Sequence, residues 1–416
     1  MISMGCRLNI AESETLRQNL AANNIDGDNL IIVNSCAVTN EAVRQTRQAI
    51  RRAKKDNPEK NIIVTGCAAQ VDPAMFADMP ETSAVVGNFD KYEAANFKLG
   101  LQSNRPEIRV SDIMRITETT PHMVSAFADR SRAFVEIQNG CDHRCTFCII
   151  PFGRGNSRSV PAGLVVDQVQ ALVDKGFQEV VLTGVDVTSY GPDLPGEPTL
   201  GMLIERILKH VPDLPRLRLS SLDGIEIDDR LFDLLTGEAR LMPHIHLSLQ
   251  SGDNMILKRM KRRHNREQAI DLVERLKAKR PEIAIGADII AGFPTEDDAM
   301  FANSRSIIDQ CDIVHGHIFP YSPKQGTPAA KMPQVDGQTI KKRAKLLRET
   351  VARRARSWRQ SLVGSRQNVL AEMSGDAGYS ENFARVLLDV PARKGQMVPV
   401  EITGVQDKQL IGRVAA

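Results

Sequence analysis

Three cysteines stand within eight positions in the stretch GCDHRCTFCIIP, residues 140–151. Cys141, Cys145 and Cys148 have the spacing C-x3-C-x2-C. Thiolates are soft metal ligands, and three are one short of the four that close a structural zinc site. His143 could complete a Cys3His set, but the loop offers one knuckle where zinc modules use two. Cys145 and Cys148 also form a C-x2-C pair capable of thiol–disulfide chemistry. A four-iron cubane is the third possibility, because three thiolates leave one iron open to a small molecule.

A second set of three is dispersed. Cys6, Cys36 and Cys67 close the runs ISMGC, NLIIVNSC and KNIIVTGC. The last two runs are β-branched and of strand length. Helical patterns over 10–22 and 40–55 separate them, so the order is β-α-β-α-β and the sheet is parallel. Ligands of such sheets sit beyond the carboxyl ends of the strands. Each cysteine falls there, so three thiols distant in sequence would meet at one rim. The competing reading is three unrelated buried cysteines, since free cysteine is a common core residue. Cys311, the seventh, is most simply a core thiol.

The rest of the chain must position these groups. No run in the 416 residues approaches the ~20 apolar residues that span a bilayer. The start, MISMGCRLN, is not a signal peptide. The expected setting is cytoplasmic, where seven cysteines serve metals, clusters or catalysis rather than disulfides. The N-terminal domain, residues 1–105, reads as a flavodoxin-like parallel α/β unit. Its first strand looks clipped, because only five residues precede Cys6. Residues 106–131 read as a linker. From 132 to 362 strands and helices alternate six times: strands at 133–138, 178–183, 215–220, 244–249, 283–290 and 312–319. The intervening and final helices fall at 161–175, 199–209, 228–236, 264–279, 296–309 and 338–360. That is a partial (β/α)6 barrel.

The barrel strands are polar on one face. Ile245, Leu247 and Leu249 alternate with His246, Ser248 and Gln250, and His315 and His317 share a face. At period 2 the polar groups point one way, into a lumen that suits a polar ligand. A metal pair from His244 and His246, or His315 and His317, is disfavoured because His244 and His246 open their strand, at the wrong rim for a barrel site. Thr295 in GFPTE is a candidate helix cap. Residues 363–416 read as a small antiparallel β-barrel, with six basic and six acidic side chains. Residues 254–266 carry six basic side chains and 338–360 carry nine, candidate polyanion footprints or simply solvated helix faces.

C-x3-C-x2-C in the loop after the first barrel strand, with Phe147 just before the last cysteine, resembles the radical S-adenosylmethionine superfamily. LTGVDVTSYG (182–191), RLSSLDG (218–224), LSLQSGDNMILKRMKR (247–262), GADIIAGFPTE (286–296) and FPYSPKQGTPAA (319–330) resemble its later barrel-rim segments. SMGCRLNIAESE, VNSCAVTNEAVRQTRQ and VTGCAAQ narrow the resemblance to methylthiotransferases, over nearly the whole chain. Several motifs look most like the branch acting on threonylcarbamoyladenosine at tRNA position 37: GCRLN with ESE, NSCAVTNEA, GCDHRCTFCIIPFGRGNSRSVP and GYSENFARVLLDVPARKGQMVPV. Other branches act on isopentenyladenosine in tRNA or on a ribosomal-protein aspartate. A non-catalytic RNA-binding metal protein is the alternative of a different class.

The resemblance implies two [4Fe-4S] clusters and S-adenosyl-L-methionine. Cys141, Cys145 and Cys148 match the ligands of the radical cluster, and Cys6, Cys36 and Cys67 those of the auxiliary one. It implies that one S-adenosylmethionine yields a radical that removes a hydrogen atom, while another methylates the sulfur that is inserted. Phe147, Ser220, Ser248 and Gln250 are the candidate S-adenosylmethionine contacts, the last three from strand-end position and face. The implied partners are the tRNA anticodon arm, an electron donor of flavodoxin or ferredoxin type and the iron–sulfur assembly machinery, around a monomer. The C-terminal domain is expected to resemble a TRAM domain, and the basic segments 258–266 and 341–359 to grip phosphates.

Overall fold

The computed structural model describes residues 1–25, 29–98, 106–117 and 130–415. In the N-terminal domain β1 (Ile2–Ser3), β2 (Leu30–Ser35), β3 (Asn61–Gly66) and β4 (Ala84–Val86) alternate with helices. These are α1 (Arg7–Ala22), α2 (Asn40–Asp56), α3 (Cys67–Val71) and α4 (Pro73–Ala77). The first strand is present, two residues long, with Ile2 opposite Val33. All pairs are parallel, and the strands cross the sheet in chain order, unlike the 2-1-3-4-5 order of flavodoxin. Ile and Val fill β2 and β3 because both faces are covered: Leu16 and Leu20 of α1 lie in the core on one face, Ile50 and Ala53 of α2 on the other.

The linker reading of 106–131 needs correction at its start. β5 (Glu107–Arg109) pairs with β4 and completes a five-stranded sheet. Three residues are too few for a period-2 signal, so the strand is set by its neighbour rather than by its own pattern. Residues 118–129 of that linker lie outside the described residues.

The central unit opens with β6 (Ala133–Glu136), β7 (Gln138–Asn139), α5 (Ile150–Arg154), β8 (Arg158–Ser159) and α6 (Ala162–Asp174). It continues with β9 (Glu179–Thr183), α7 (Leu200–His210), β10 (Arg216–Leu219), β11 (Ser221–Leu222) and α8 (Asp229–Gly237). Then follow β12 (His244–Gln250), α9 (Asn254–Arg259), α10 (Arg266–Lys279), β13 (Ala284–Ala291), α11 (Asp298–Gln310), β14 (Ile313–Pro320) and α12 (Gly337–Ser361). Two parallel sheets, β6-β9-β10 and β11-β12-β13-β14, meet around Ser220 and a Leu217–Leu241 bridge. Among the described residues no pairing joins β6 to β14, so the barrel is partial, and α1 lies against β6. Leu and Ile on the outer strand faces pack under the helices, and Cys311 is buried among them. The cap of α11 is Asp297, which accepts from the Met300 amide at 2.8 Å. Thr295 instead has a left-handed φ of 67° and receives Arg259.

The C-terminal strands β15 (Arg366–Ala371), β16 (Ala377–Tyr379), β17 (Arg385–Leu388), β18 (Met397–Gln406) and β19 (Gln409–Val414) close into a barrel. Its pairs are antiparallel except β17 with β19, which is parallel and corrects the all-antiparallel expectation. Closure requires that pair, since an odd number of strands cannot alternate direction all the way round. No helix among the described residues is long and apolar enough to cross a membrane.

Candidate active site

The three N-terminal cysteines follow three adjacent strands. Cys6 precedes α1, Cys36 follows β2, and Cys67 opens α3 directly after β3. Gly5 turns the chain with φ +90°, where a Cβ would lie 2.6 Å from that of Cys36. Any larger residue would push the first thiol away from the second. Asn9, fully buried, donates to Met4 O at 2.6 Å and Ser35 O at 3.0 Å, tying the Cys6 turn to the end of β2. The Ser35 hydroxyl donates to Thr65 O and accepts from the Ala69 amide at 3.1 Å, tying that end to α3.

The other three cysteines lie between β7 and α5. Thr146, in their midst, donates its hydroxyl to Arg259 O at 2.8 Å and its amide to Met260 O at 3.1 Å. Its carbonyl accepts from the Ala329 amide at 2.9 Å. Phe147 meets Phe293 edge to face at 6.3 Å, in an apolar cluster with Met260 and Tyr321. The loop is therefore held from three later segments, and Cys141, Cys145 and Cys148 remain partly exposed.

Helix α5 joins the two sets. It begins two residues after Cys148 and ends at Arg154, whose Nε donates to Cys67 Sγ at 3.1 Å. Gly153 allows this approach, since a Cβ there would be 3.2 Å from that of Cys67. Arg154 also donates to Asn9 at 2.7 Å and to Glu12 at 2.7 and 3.1 Å. Glu12 binds Lys91 at 2.9 Å, Lys91 donates to Asn88 at 2.8 Å, and Asn88 donates to Cys67 Sγ at 3.5 Å and Gly153 O at 2.6 Å. Burial alone would raise Glu12, but Arg154 and Lys91 outweigh it and hold the carboxyl down at about 2. Two cations and one carboxylate thus lie buried beside one thiol, a net positive charge. None of the side chains in this network was singled out from the sequence, although Asn9 and Glu12 lie within SMGCRLNIAESE and Arg154 within GCDHRCTFCIIPFGRGNSRSVP; Asn88 and Lys91 lie in no motif.

Burial raises the thiols of Cys6, Cys36, Cys141 and Cys148, Cys36 to about 12 and Cys148 to about 11. Metal loading must therefore displace protons. A single zinc with Zn–S of ~2.3 Å puts tetrahedral sulfurs ~3.8 Å apart. In neither triad are all three sulfurs within 4.8 Å of one another. His143 is held away by Asp186 at 2.9 Å and Glu226 at 3.6 Å, whose hydrogen bonds lift it to about 10. Three thiols in each set match the ligand count of a multi-iron cluster with one open iron.

Polar groups surround the second triad. Asp186 accepts from Cys141 Sγ at 3.7 Å, and Arg262 donates to Cys145 Sγ at 3.7 Å, Asp223 at 2.9 Å and Ser248 O at 2.8 Å. Of the residues assigned to S-adenosylmethionine, Ser220 has a buried hydroxyl without a hydrogen-bond partner. Ser248 meets Arg262 through its carbonyl, and Gln250 ends β12 at a register shift with φ 69°. Asp186, Asp223 and Arg262 were missed, although all lie in quoted rim segments.

Lower in the lumen the predicted polar face forms. His246 and His317 both meet Asp288 Oδ1, at 2.9 and 3.2 Å, a grouping able to hold a metal ion. His244 and His315 pack against Phe383 of the C-terminal domain. Glu179 sits among Arg132, Arg216 and Arg218, which overrule its burial and hold it down at about 2. Burial, with Arg132 and Arg218 beside it, lowers Arg7 to about 10.

The two basic segments divide between side chains paired with other elements and side chains left at the surface. Arg259, Arg262, Arg263 and Arg266 bind Thr295, Asp223, Glu226 and Gly252 O. Arg343, Arg353 and Arg354 bind Glu296, Asp309 and Asp312. Lys258, Lys261, Lys341, Lys342 and Arg356 are exposed.

Residues 135–306 match the Radical SAM superfamily and residues 1–87 match the uncharacterised protein family UPF0004. The chain is 51% identical over 407 residues to a protein of Rickettsia prowazekii, strain Madrid E, covering 98% of this chain and 95% of the relative. That relative is named threonylcarbamoyladenosine tRNA methylthiotransferase MtaB. One of the same name from Bacillus subtilis is 35% identical over 346 residues, 82% of this chain and 76% of the relative. Among solved structures, the radical S-adenosylmethionine methyltransferase TsrM of Kitasatospora setae shares the fold, with a TM-score of 0.51 at 16% identity. The match covers 78% of this chain and 68% of TsrM.

Proposed function

The chain belongs to the radical S-adenosylmethionine methylthiotransferases, in their threonylcarbamoyladenosine (MtaB-like) branch, and from that membership we propose how its residues divide the work. It is a tRNA methylthiotransferase that uses two [4Fe-4S] clusters and S-adenosylmethionine to convert N6-threonylcarbamoyladenosine to its 2-methylthio derivative. Cys141, Cys145 and Cys148 hold the cluster that works with S-adenosylmethionine, and Cys6, Cys36 and Cys67 hold the auxiliary one. When bound, these groups supply hydrogen-atom abstraction at carbon 2 and a sulfur to place there, which no side-chain acid or base can do.

The chain's own part is positioning. Thr146 and Phe147 fix the loop of the first cluster, while Arg262 offers a hydrogen bond to Cys145. Arg154 and Asn88 offer theirs to Cys67. Ser220, Ser248 and Gln250, at the carboxyl ends of their strands, are the proposed contacts to S-adenosylmethionine, with the unpaired Ser220 hydroxyl the best supported. The partial barrel shields the reacting carbon from water. An adenosine in a single-stranded loop can be splayed into such a lumen.

The proposed domains are 1–117, the barrel from 132 to 362, and a TRAM-like RNA-binding barrel from 363. The substrate base is at position 37 of the anticodon arm. A flavodoxin- or ferredoxin-type donor and the iron–sulfur assembly machinery serve a cytoplasmic monomer. The observation that carries this reading is the pair of three-thiol sets joined through α5 and its Arg154. Nucleoside mass spectrometry of tRNA from a deletion strain tests it. Loss of the 2-methylthio form with threonylcarbamoyladenosine intact is expected; unchanged tRNA would refute it.

A further inference from the structure

At the foot of the barrel lumen lies a cavity of about 430 Å³, within the range of small-molecule sites. Three parts of the chain wall it: Arg7 of α1, Arg132, Phe134 and Arg218 of the barrel, and Tyr379 and Phe383 of the C-terminal domain. It is cationic and aromatic. Arg218 is committed, binding Glu179 at 2.9 and 3.2 Å. Arg132 stacks on Tyr379 at 4.6 Å and meets Glu372 at 3.3 Å. Glu179 must answer Arg132, Arg216 and Arg218 together.

Arg7 is left over. Among the described residues its guanidinium makes no hydrogen bond or ion pair; it lies over the Phe383 ring at 5.5 Å. An unpaired cation facing other arginines in a half-buried cavity is unfavourable until an anion arrives. A guanidinium fork suits a carboxylate, which it can bind with two parallel hydrogen bonds.

Position supplies the second argument. Arg7 directly follows Cys6, the first thiol of the N-terminal set. In adenine, carbon 2 and the N6 substituent share one edge, separated by a single ring nitrogen and carbon 6. A base that presents carbon 2 toward Cys6 carries its substituent alongside Arg7. The threonylcarbamoyl group ends in a carboxylate, and an isopentenyl group has none.

We propose that Arg7, backed by Arg132, binds the carboxylate of the N6 substituent and so selects threonylcarbamoyladenosine over adenosines with uncharged substituents. This rests on the substrate reading given above. The same oxyanion chemistry could come from a backbone phosphate, so the test separates the two sources. Binding to the anaerobically loaded full-length enzyme is measured for an anticodon-arm RNA with threonylcarbamoyladenosine and for the same RNA with unmodified adenosine.

The wild type should prefer the modified RNA. Arg7→Gln should weaken binding of the modified RNA by about ten- to hundredfold, the weight of one hydrogen-bonded charge, and leave the unmodified RNA unchanged. Arg7→Lys should recover part of the loss. Iron and sulfide content verify that the neighbouring cluster is intact. If Arg7→Gln loses iron, Arg132→Gln decides: a selective loss supports the proposal and an unchanged preference overturns it. Equal weakening of both RNAs, with the salt slope reduced by about one, would assign Arg7 to a phosphate and overturn the proposal. A wild type without preference would overturn the substrate reading itself, and this inference with it; preference retained by both variants overturns this inference alone.

Discussion

Replacing Arg154 by Gln should lower the reduction potential of the cluster assigned to Cys6, Cys36 and Cys67. Arg154 is buried and donates to Cys67 Sγ at 3.1 Å. With the charge about 5 Å from the cluster centre and an effective dielectric of about 20, it contributes ~3 kcal/mol per electron added. That is ~140 mV for a one-electron couple. Glu12, bound to Arg154 at 2.7 Å, loses in the variant the partner that holds its carboxyl down, and any proton it takes up offsets part of the lost charge. A downward shift of about 50–150 mV is therefore expected. The measurement is a potentiometric titration followed by electron paramagnetic resonance, in a background where Cys141, Cys145 and Cys148 are Ala. That background leaves a single cluster to titrate. Arg154→Lys keeps the charge and should shift the midpoint less. An unchanged midpoint with full iron content would refute the placement of that cluster beside Cys67.

Glu179 predicts an acid-sensitive barrel foot. Its carboxyl is depressed to about 2, against ~4.3 when unfolded. Its stabilisation is thus present above about 4.3 and lost as pH falls through about 2. Glu179→Gln should flatten that limb of the denaturation profile and cost about 3–5 kcal/mol at neutral pH; an unaltered acid limb would count against the pairing. Thr146→Val removes one hydrogen bond from the cysteine loop, worth about 1 kcal/mol, and should speed iron loss to chelators from that cluster only. Cys145→Ala should abolish product formation while iron at the N-terminal set remains; retained activity would refute its assignment.

Much of this was legible in the sequence because the signals are local. Cys36 and Cys67 end β-branched strands, so their shared rim followed from parallel-sheet geometry. The alternation of His246 with Ile245 and Leu247 placed the polar group that His246 forms with Asp288, while the register shift between Leu247 and Gln250 breaks the period beyond it. What escaped depends on residues far apart. Arg154 reaches Cys67 and Glu12 across 87 and 142 positions, and no spacing announces such a contact. Arg7 lines the cavity only because α1 lies against β6. The pairing of part of the basic segments escaped for the complementary reason: the acidic partners, such as Asp223, Glu226 and Asp309, come from other elements. β5 was missed because three residues carry no period of their own.

The central claim is that two separate sets of three cysteines each hold an open-sided cluster. Iron and acid-labile sulfide counts on anaerobically reconstituted protein test it most directly, on the wild type and two variants. One variant has Cys6, Cys36 and Cys67 changed to Ala, the other Cys141, Cys145 and Cys148. About eight irons in the wild type and about four in each variant are predicted. Zinc in place of iron, or one variant that loses all of its iron while the other loses none, would contradict the account.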